Sequence, residues 1–131
     1  GHETAEVSLR LTIAAPPEQV RMIQVPGKAP VYAAALSGGR TLTISVEPGG
    51  PGLNALHATF TDAAGRELEI ARPPEITLGR KGETPRAIAM LQEGPGHFYG
   101  DVELESGDWQ LSITAITRAG EMLGARLSIH L

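Results

Sequence analysis

Three sets of side chains carry donor atoms in patterns that could do chemistry. His57, His97 and His130 each sit among alternating apolar residues and out of phase with them, which puts each imidazole on the wet face of a strand. Imidazole nitrogens fixed on strands can ligate copper or zinc. No two of the three lie at i, i+2 on one strand, so a shared ion needs cross-strand neighbours, and solvated histidines explain the spacing as well. Met22, Met90 and Met122 supply thioethers, soft ligands for Cu(I), but without a Met-x-Met cluster they read as core filler. Asp101, Glu103 and Glu105 lie on one strand face with Asp108 beyond the turn. Their hard oxygens suit Ca²⁺, but an acidic strand edge that resists aggregation is the more common reason for such a pattern.

Other chemistries are excluded by what is missing. None of the six serines occupies the strained G-x-S-x-G elbow of a serine hydrolase. Gly49-Gly50-Pro51-Gly52 and Gly94-Pro95-Gly96 lack the Lys-Ser/Thr of a phosphate loop, and proline removes an amide donor that such a loop would use. The absence of cysteine removes disulfides, thiolate nucleophiles and Cys-containing metal sites. With 11 basic residues against 15 acidic ones and no basic run, the chain lacks the electrostatic footprint of nucleic-acid binding. No stretch of 18 apolar residues is present to insert into a membrane, and no secretory leader is visible. The expectation is a non-enzymatic domain.

The elements that must position these residues follow period two. Leu42, Ile44 and Val46 alternate with Thr41, Thr43 and Ser45; Leu56, Ala58 and Phe60 alternate with Ala55, His57 and Thr59. Ile76 and Leu78 mark a short strand. Phe98, Val102 and Leu104 oppose His97, Tyr99, Asp101 and Glu103, and two further faces carry Trp109, Leu111, Ile113, Ala115 and Leu123, Ala125, Leu127, Ile129, Leu131. Turn residues fall between the runs at Pro48–Gly52, Asp62–Gly65, Gly79–Pro85, Gly94–Gly96, Ser106–Asp108 and Arg118–Glu121. This predicts an all-β fold: an immunoglobulin-like antiparallel β-sandwich of about seven strands over residues 40–131. Its expected core contains Leu56, Phe60, Phe98, Trp109, Ile113, Leu127 and Ile129. Thr84–Gln92 is read as a strand, although Thr84 and Pro85 could open a short helix over Ala87–Leu91.

Residues 1–39 read as an N-terminal extension able to add one or two strands, with Gly1-His2 taken as a cloning remnant. Val7, Leu9, Leu11 and Ile13 predict a strand over 7–13. Glu18–Ala29 is open between loop, short helix and edge strand, and residues 31–36 pair with Thr41–Glu47 as a hairpin closed by Gly38-Gly39.

The run from Val46 to Gly65, with Pro48, Pro51-Gly52, Asn54, His57, Thr59-Phe60, Asp62 and Gly65 in order, resembles a known pattern. That pattern marks the YtkA-like C-terminal extracytoplasmic domain of bacterial copper transport proteins of the copper resistance D type. Gly94-Pro95-Gly96-His97-Phe98 and Gly107-Asp108-Trp109-Gln110-Leu111 are similar to two further strand starts of the same family. The resemblance implies an immunoglobulin-like domain outside the cytoplasmic membrane, following a bundle of membrane helices that move copper. Pro51, Gly52, Asn54, Gly65, Gly96 and Trp109 are then architectural, Asn54 by tying a turn and Trp109 by filling the core. His57 and His97 are the matched positions with ligand chemistry, on strands that neighbour one another in this topology. The implied cargo is copper; weak binding is expected, because a dedicated site needs three or four converging ligands and a supporting shell, and the sequence shows neither. The implied partner is the membrane portion of the same protein or a periplasmic protein. The competing expectation is an immunoglobulin-like adhesion or ligand-binding module of a secreted protein with no metal role.

Overall fold

The computed structural model describes residues 20–23, 26–27 and 29–131. Among these, ten strands form two antiparallel sheets: β1 (Val20–Ile23), β2 (Val31–Ala35), β3 (Thr41–Glu47), β4 (Gly52–Thr61), β5 (Glu75–Gly79), β6 (Arg86–Ile88), β7 (Leu91–Gly94), β8 (His97–Leu104), β9 (Asp108–Ile116) and β10 (Met122–His130). One sheet runs β1-β2-β3-β4-β8-β7 and the other β10-β9-β5-β6. The chain changes sheet between β4 and β5, between β6 and β7, and between β8 and β9. These crossings make the fold an immunoglobulin-like sandwich rather than a meander.

The alternation read from the sequence decides which face is covered. Leu42, Ile44 and Val46 from β3, Leu56, Ala58 and Phe60 from β4, and Phe98 and Leu104 from β8 are buried. They meet Ile76 and Leu78 from β5, with the inward residues of β9 and β10, in one apolar cluster. Each such Leu, Ile or Phe contributes roughly 1.5–3 kcal/mol through burial. Phe60 and Phe98 add an edge-to-face contact at 6.3 Å between ring centroids. All seven residues expected in the core belong to this cluster.

The extension widens the larger sheet. β2 pairs with β3 from Val31↔Ser45 to Ala35↔Thr41, and the hairpin closes through a short 3-10 turn at Ser37–Gly39 with Gly38 at φ 72° and Gly39 at φ 74°. Within Glu18–Ala29, Val20–Ile23 is an edge strand on β2. The strand expected over 7–13 lies outside the described residues. Thr84–Gln92 is not one strand: β6 ends at Ile88 on the smaller sheet and β7 begins at Leu91 on the larger. The connection crosses over the sandwich edge, and Met90 plugs into the core there. Gly100 on β8 makes the crossing possible, because a Cβ at that position would lie 2.5 Å from the Ala89 carbonyl oxygen and 2.9 Å from Met90 Sδ.

Two architectural expectations are met in atomic detail. Asn54 is buried; its Oδ1 accepts from the Gly49 N–H at 2.8 Å, and its Nδ2 donates to the carbonyls of Gly50 (2.8 Å) and Gly52 (3.0 Å). The side chain thus satisfies the backbone of the Pro48–Gly52 turn. Trp109 is buried, and its indole N–H donates to the Glu105 carbonyl at 2.9 Å. No helix among the described residues is long and apolar enough to cross a membrane.

Candidate metal centre

The outer face of the larger sheet brings His57 and His97 together. β4 and β8 pair with His57 opposite Tyr99 and Thr59 opposite His97, so the two histidines are diagonal neighbours on one face. Diagonal residues in an antiparallel pair lie within reach of long side chains. The two rings stand nearly perpendicular with centroids 5.8 Å apart. The Tyr99 ring lies 6.3 Å from that of His57.

A third donor comes from β7. In its pairing with β8, Gln92 lies opposite Phe98 and Gly94 opposite His97, and the register shift between them leaves Glu93 as the extra residue of a β-bulge. Bulges re-aim side chains, and this one turns the Glu93 carboxylate over the imidazoles. Its Oε1 is 3.3 Å from His97 Nε2 and 3.9 Å from His57 Nδ1. One ligand atom from each of His57, Glu93 and His97 lies within 4.8 Å of the others. Among the described residues this is the group of His, Asp and Glu that converges in this way.

The surroundings hold the His97 ring in a ligating attitude. Its Nδ1 lies 3.5 Å from the Thr59 hydroxyl, which turns Nε2 toward Glu93 and His57. That Nε2 is screened from solvent yet makes no hydrogen bond of good geometry within the chain. A buried polar atom without a partner is uncommon and calls for an explanation. His57 and His97 are half-buried and Glu93 is exposed, at 31%, 37% and 47% side-chain exposure respectively. A cation can enter from solvent while the sheet fixes the donors. Asp101 and Glu103, exposed on the same face of β8, add negative potential nearby.

The hairpin that carries Glu93 is pinned from beneath. The Gly96 N–H donates to Glu67 Oε2 at 2.8 Å, the Gly96 carbonyl accepts from the Phe60 N–H at 2.8 Å, and Ile70 N–H donates to the Pro95 carbonyl at 2.9 Å. A Cβ on Gly96 would lie 2.2 Å from the Leu68 carbonyl oxygen. Only glycine fits, and the close approach sets the height of the β7–β8 turn over the sheet.

The other candidates are placed elsewhere. His130 lies on β10, in the smaller sheet, and is paired with Asp108 through its Nδ1. Met90 is buried in the core, while Met22 and Met122 are exposed on β1 and β10, in different sheets. Arg80 lies 3.6 Å from the Glu105 carboxylate, and Arg86 donates to the backbone carbonyl of Glu103. Glu93 and Thr59 were not singled out from the sequence. The signal for Glu93 was the tight Gly94-Pro95-Gly96 turn before His97, which places the residues preceding it beside His97; the bulge that selects Glu93 has no sequence mark.

Two imidazole nitrogens and one carboxylate oxygen form a donor set suited to a divalent transition ion, with a coordination position left open. No family model matches the chain, and no curated protein does. Among solved structures, the fold is similar to a DUF4785 family protein from Legionella pneumophila subsp. pneumophila str. Philadelphia 1, with a TM-score of 0.55 and 13% sequence identity. The match covers 70% of this chain and 28% of that one, so the likeness is one of fold over part of a larger protein.

Proposed function

We propose that this chain is a non-enzymatic extracytoplasmic domain of a copper transport or resistance membrane protein, and that it holds copper transiently on the outer face of its larger sheet. The observation that carries the reading is convergence. His57 and His97, the two motif-matched positions with ligand chemistry, meet on one face, and the β7 bulge adds Glu93 to them. His97 Nε2, shielded from solvent and without a hydrogen bond of good geometry, is the donor with most to gain from an ion. Half-exposed donors and an open position favour exchange over permanent retention. The membrane portion of the same protein or a periplasmic protein would be the source or recipient of the ion.

Calorimetric titration of copper into the wild type and into the His57→Ala, His97→Ala double variant tests this. The reading predicts a saturable isotherm that the double variant loses. Identical isotherms would overturn it and leave the adhesion or ligand-binding reading in its place.

A further inference from the structure

We propose that the His57–Glu93–His97 site takes copper as Cu(II) and discriminates against Cu(I). The inference rests on the copper-handling reading above and specifies its oxidation state. Cu(I) is a soft ion that selects thiolate and thioether sulfur, whereas Cu(II) suits imidazole and carboxylate. The three converging donors are two nitrogens and an oxygen. The chain contains no cysteine. Of its three methionines, Met90 is enclosed in the core and points to the inner side of the sheet, while Met22 and Met122 sit on β1 and β10. No sulfur is on the face that carries the histidines.

Geometry and charge agree. Donors on a tetragonal ion with bonds of about 2.0 Å lie about 2.8 Å apart when cis and about 4 Å apart when trans. The His97 Nε2 to Glu93 Oε1 distance of 3.3 Å and the His57 Nδ1 to Glu93 Oε1 distance of 3.9 Å fall in that range before any ion is added. The Glu93 carboxylate balances one charge of a divalent ion and would fully neutralise a monovalent one, so its contribution is larger for Cu(II). Thr59 acts as a positioning residue: its hydroxyl beside His97 Nδ1 fixes which ring nitrogen faces the ion, as the outer partners of ligating histidines commonly do. Zn(II) suits the same donors but stands below Cu(II) in the usual affinity order, so Cu(II) should displace it.

The test compares Cu(II) and Cu(I) on the same protein. Cu(II) is followed by electron paramagnetic resonance and competition with glycine, and Cu(I) by competition with bicinchoninate under anaerobic conditions. The wild type should take up one Cu(II) per chain with nitrogen hyperfine structure, and the His57→Ala, His97→Ala variant should lose that signal. Glu93→Gln should weaken Cu(II) binding at least tenfold while retaining nitrogen hyperfine structure, and Thr59→Val should weaken it by about tenfold or more. Both are substitutions on the outer face, and an unchanged urea midpoint would show that the fold is retained. Cu(I) competition should be the same for wild type and double variant. Cu(I) held by the wild type as tightly as Cu(II), and lost in the double variant, would overturn the oxidation-state assignment and leave the copper-handling reading standing. No binding of either ion would overturn both.

Discussion

Replacing Asn54 with alanine should destabilise the domain more than any other polar substitution of comparable size. Its carboxamide makes three hydrogen bonds, all to the backbone of the turn between β3 and β4, and the residue is 1% exposed. A typical intramolecular hydrogen bond contributes about 0.5–1.5 kcal/mol net, and a buried group left without a partner loses more. Removal of all three gives about 2–4 kcal/mol, since water can reach part of the turn and recover some of the loss. With a urea m-value of about 2 kcal/mol/M, the midpoint should fall by about 1–2 M. Asn54→Asp separates the contributions. It retains an acceptor for the Gly49 N–H but sets a carboxylate against the Gly50 and Gly52 carbonyls, so it should be at least as destabilising as Asn54→Ala. An aspartate variant close to wild type would show that only the Gly49 bond matters. An alanine variant within error of wild type would refute the claim that the side chain holds the turn.

Two further outcomes follow from other contacts. Gly96→Ala should lower the denaturation midpoint and also weaken copper binding, because a Cβ 2.2 Å from the Leu68 carbonyl must lift the β7–β8 turn that carries Glu93; a destabilised variant with unchanged copper affinity would separate the turn from the site. Glu121 accepts hydrogen bonds from Arg40 at 2.9 and 3.2 Å, and the guanidinium holds its carboxyl below the ordinary value of 4.5. A depressed carboxyl stabilises the fold above the unfolded-state value and loses that contribution as pH falls through the folded-state value. The stability difference between wild type and Glu121→Gln should therefore shrink as pH drops below about 4.5, and parallel profiles from neutral to acid pH would contradict the pairing.

What was legible in the sequence was whatever period two and turn chemistry encode. β3, β4, β8, β9 and β10 each alternate over seven residues or more, and their inward residues form the core as expected. Short elements carry too few repeats to mark their sheet. The segment from Thr84 to Gln92 divides between both sheets because a crossover is decided by tertiary packing, here the space that Gly100 leaves for Ala89 and Met90. The site divided in the same way. His57 and His97 could be placed on outward faces by phase alone, but their adjacency depends on the β4–β8 register. Glu93 depends on a bulge, which inserts one residue without altering composition or spacing.

The proposed copper position lies where β4, β7 and β8 present His57, Glu93 and His97. The most direct measurement is paramagnetic line broadening in the proton–nitrogen correlation spectrum of the labelled chain as substoichiometric Cu(II) is added. Loss of signal should begin at residues 57, 59, 93, 97 and 99 on the outer face of the larger sheet, and leave His130 and Asp108 on the smaller sheet sharp. Broadening that begins at His130, or spreads evenly over the surface, would rule out a copper site at His57, Glu93 and His97.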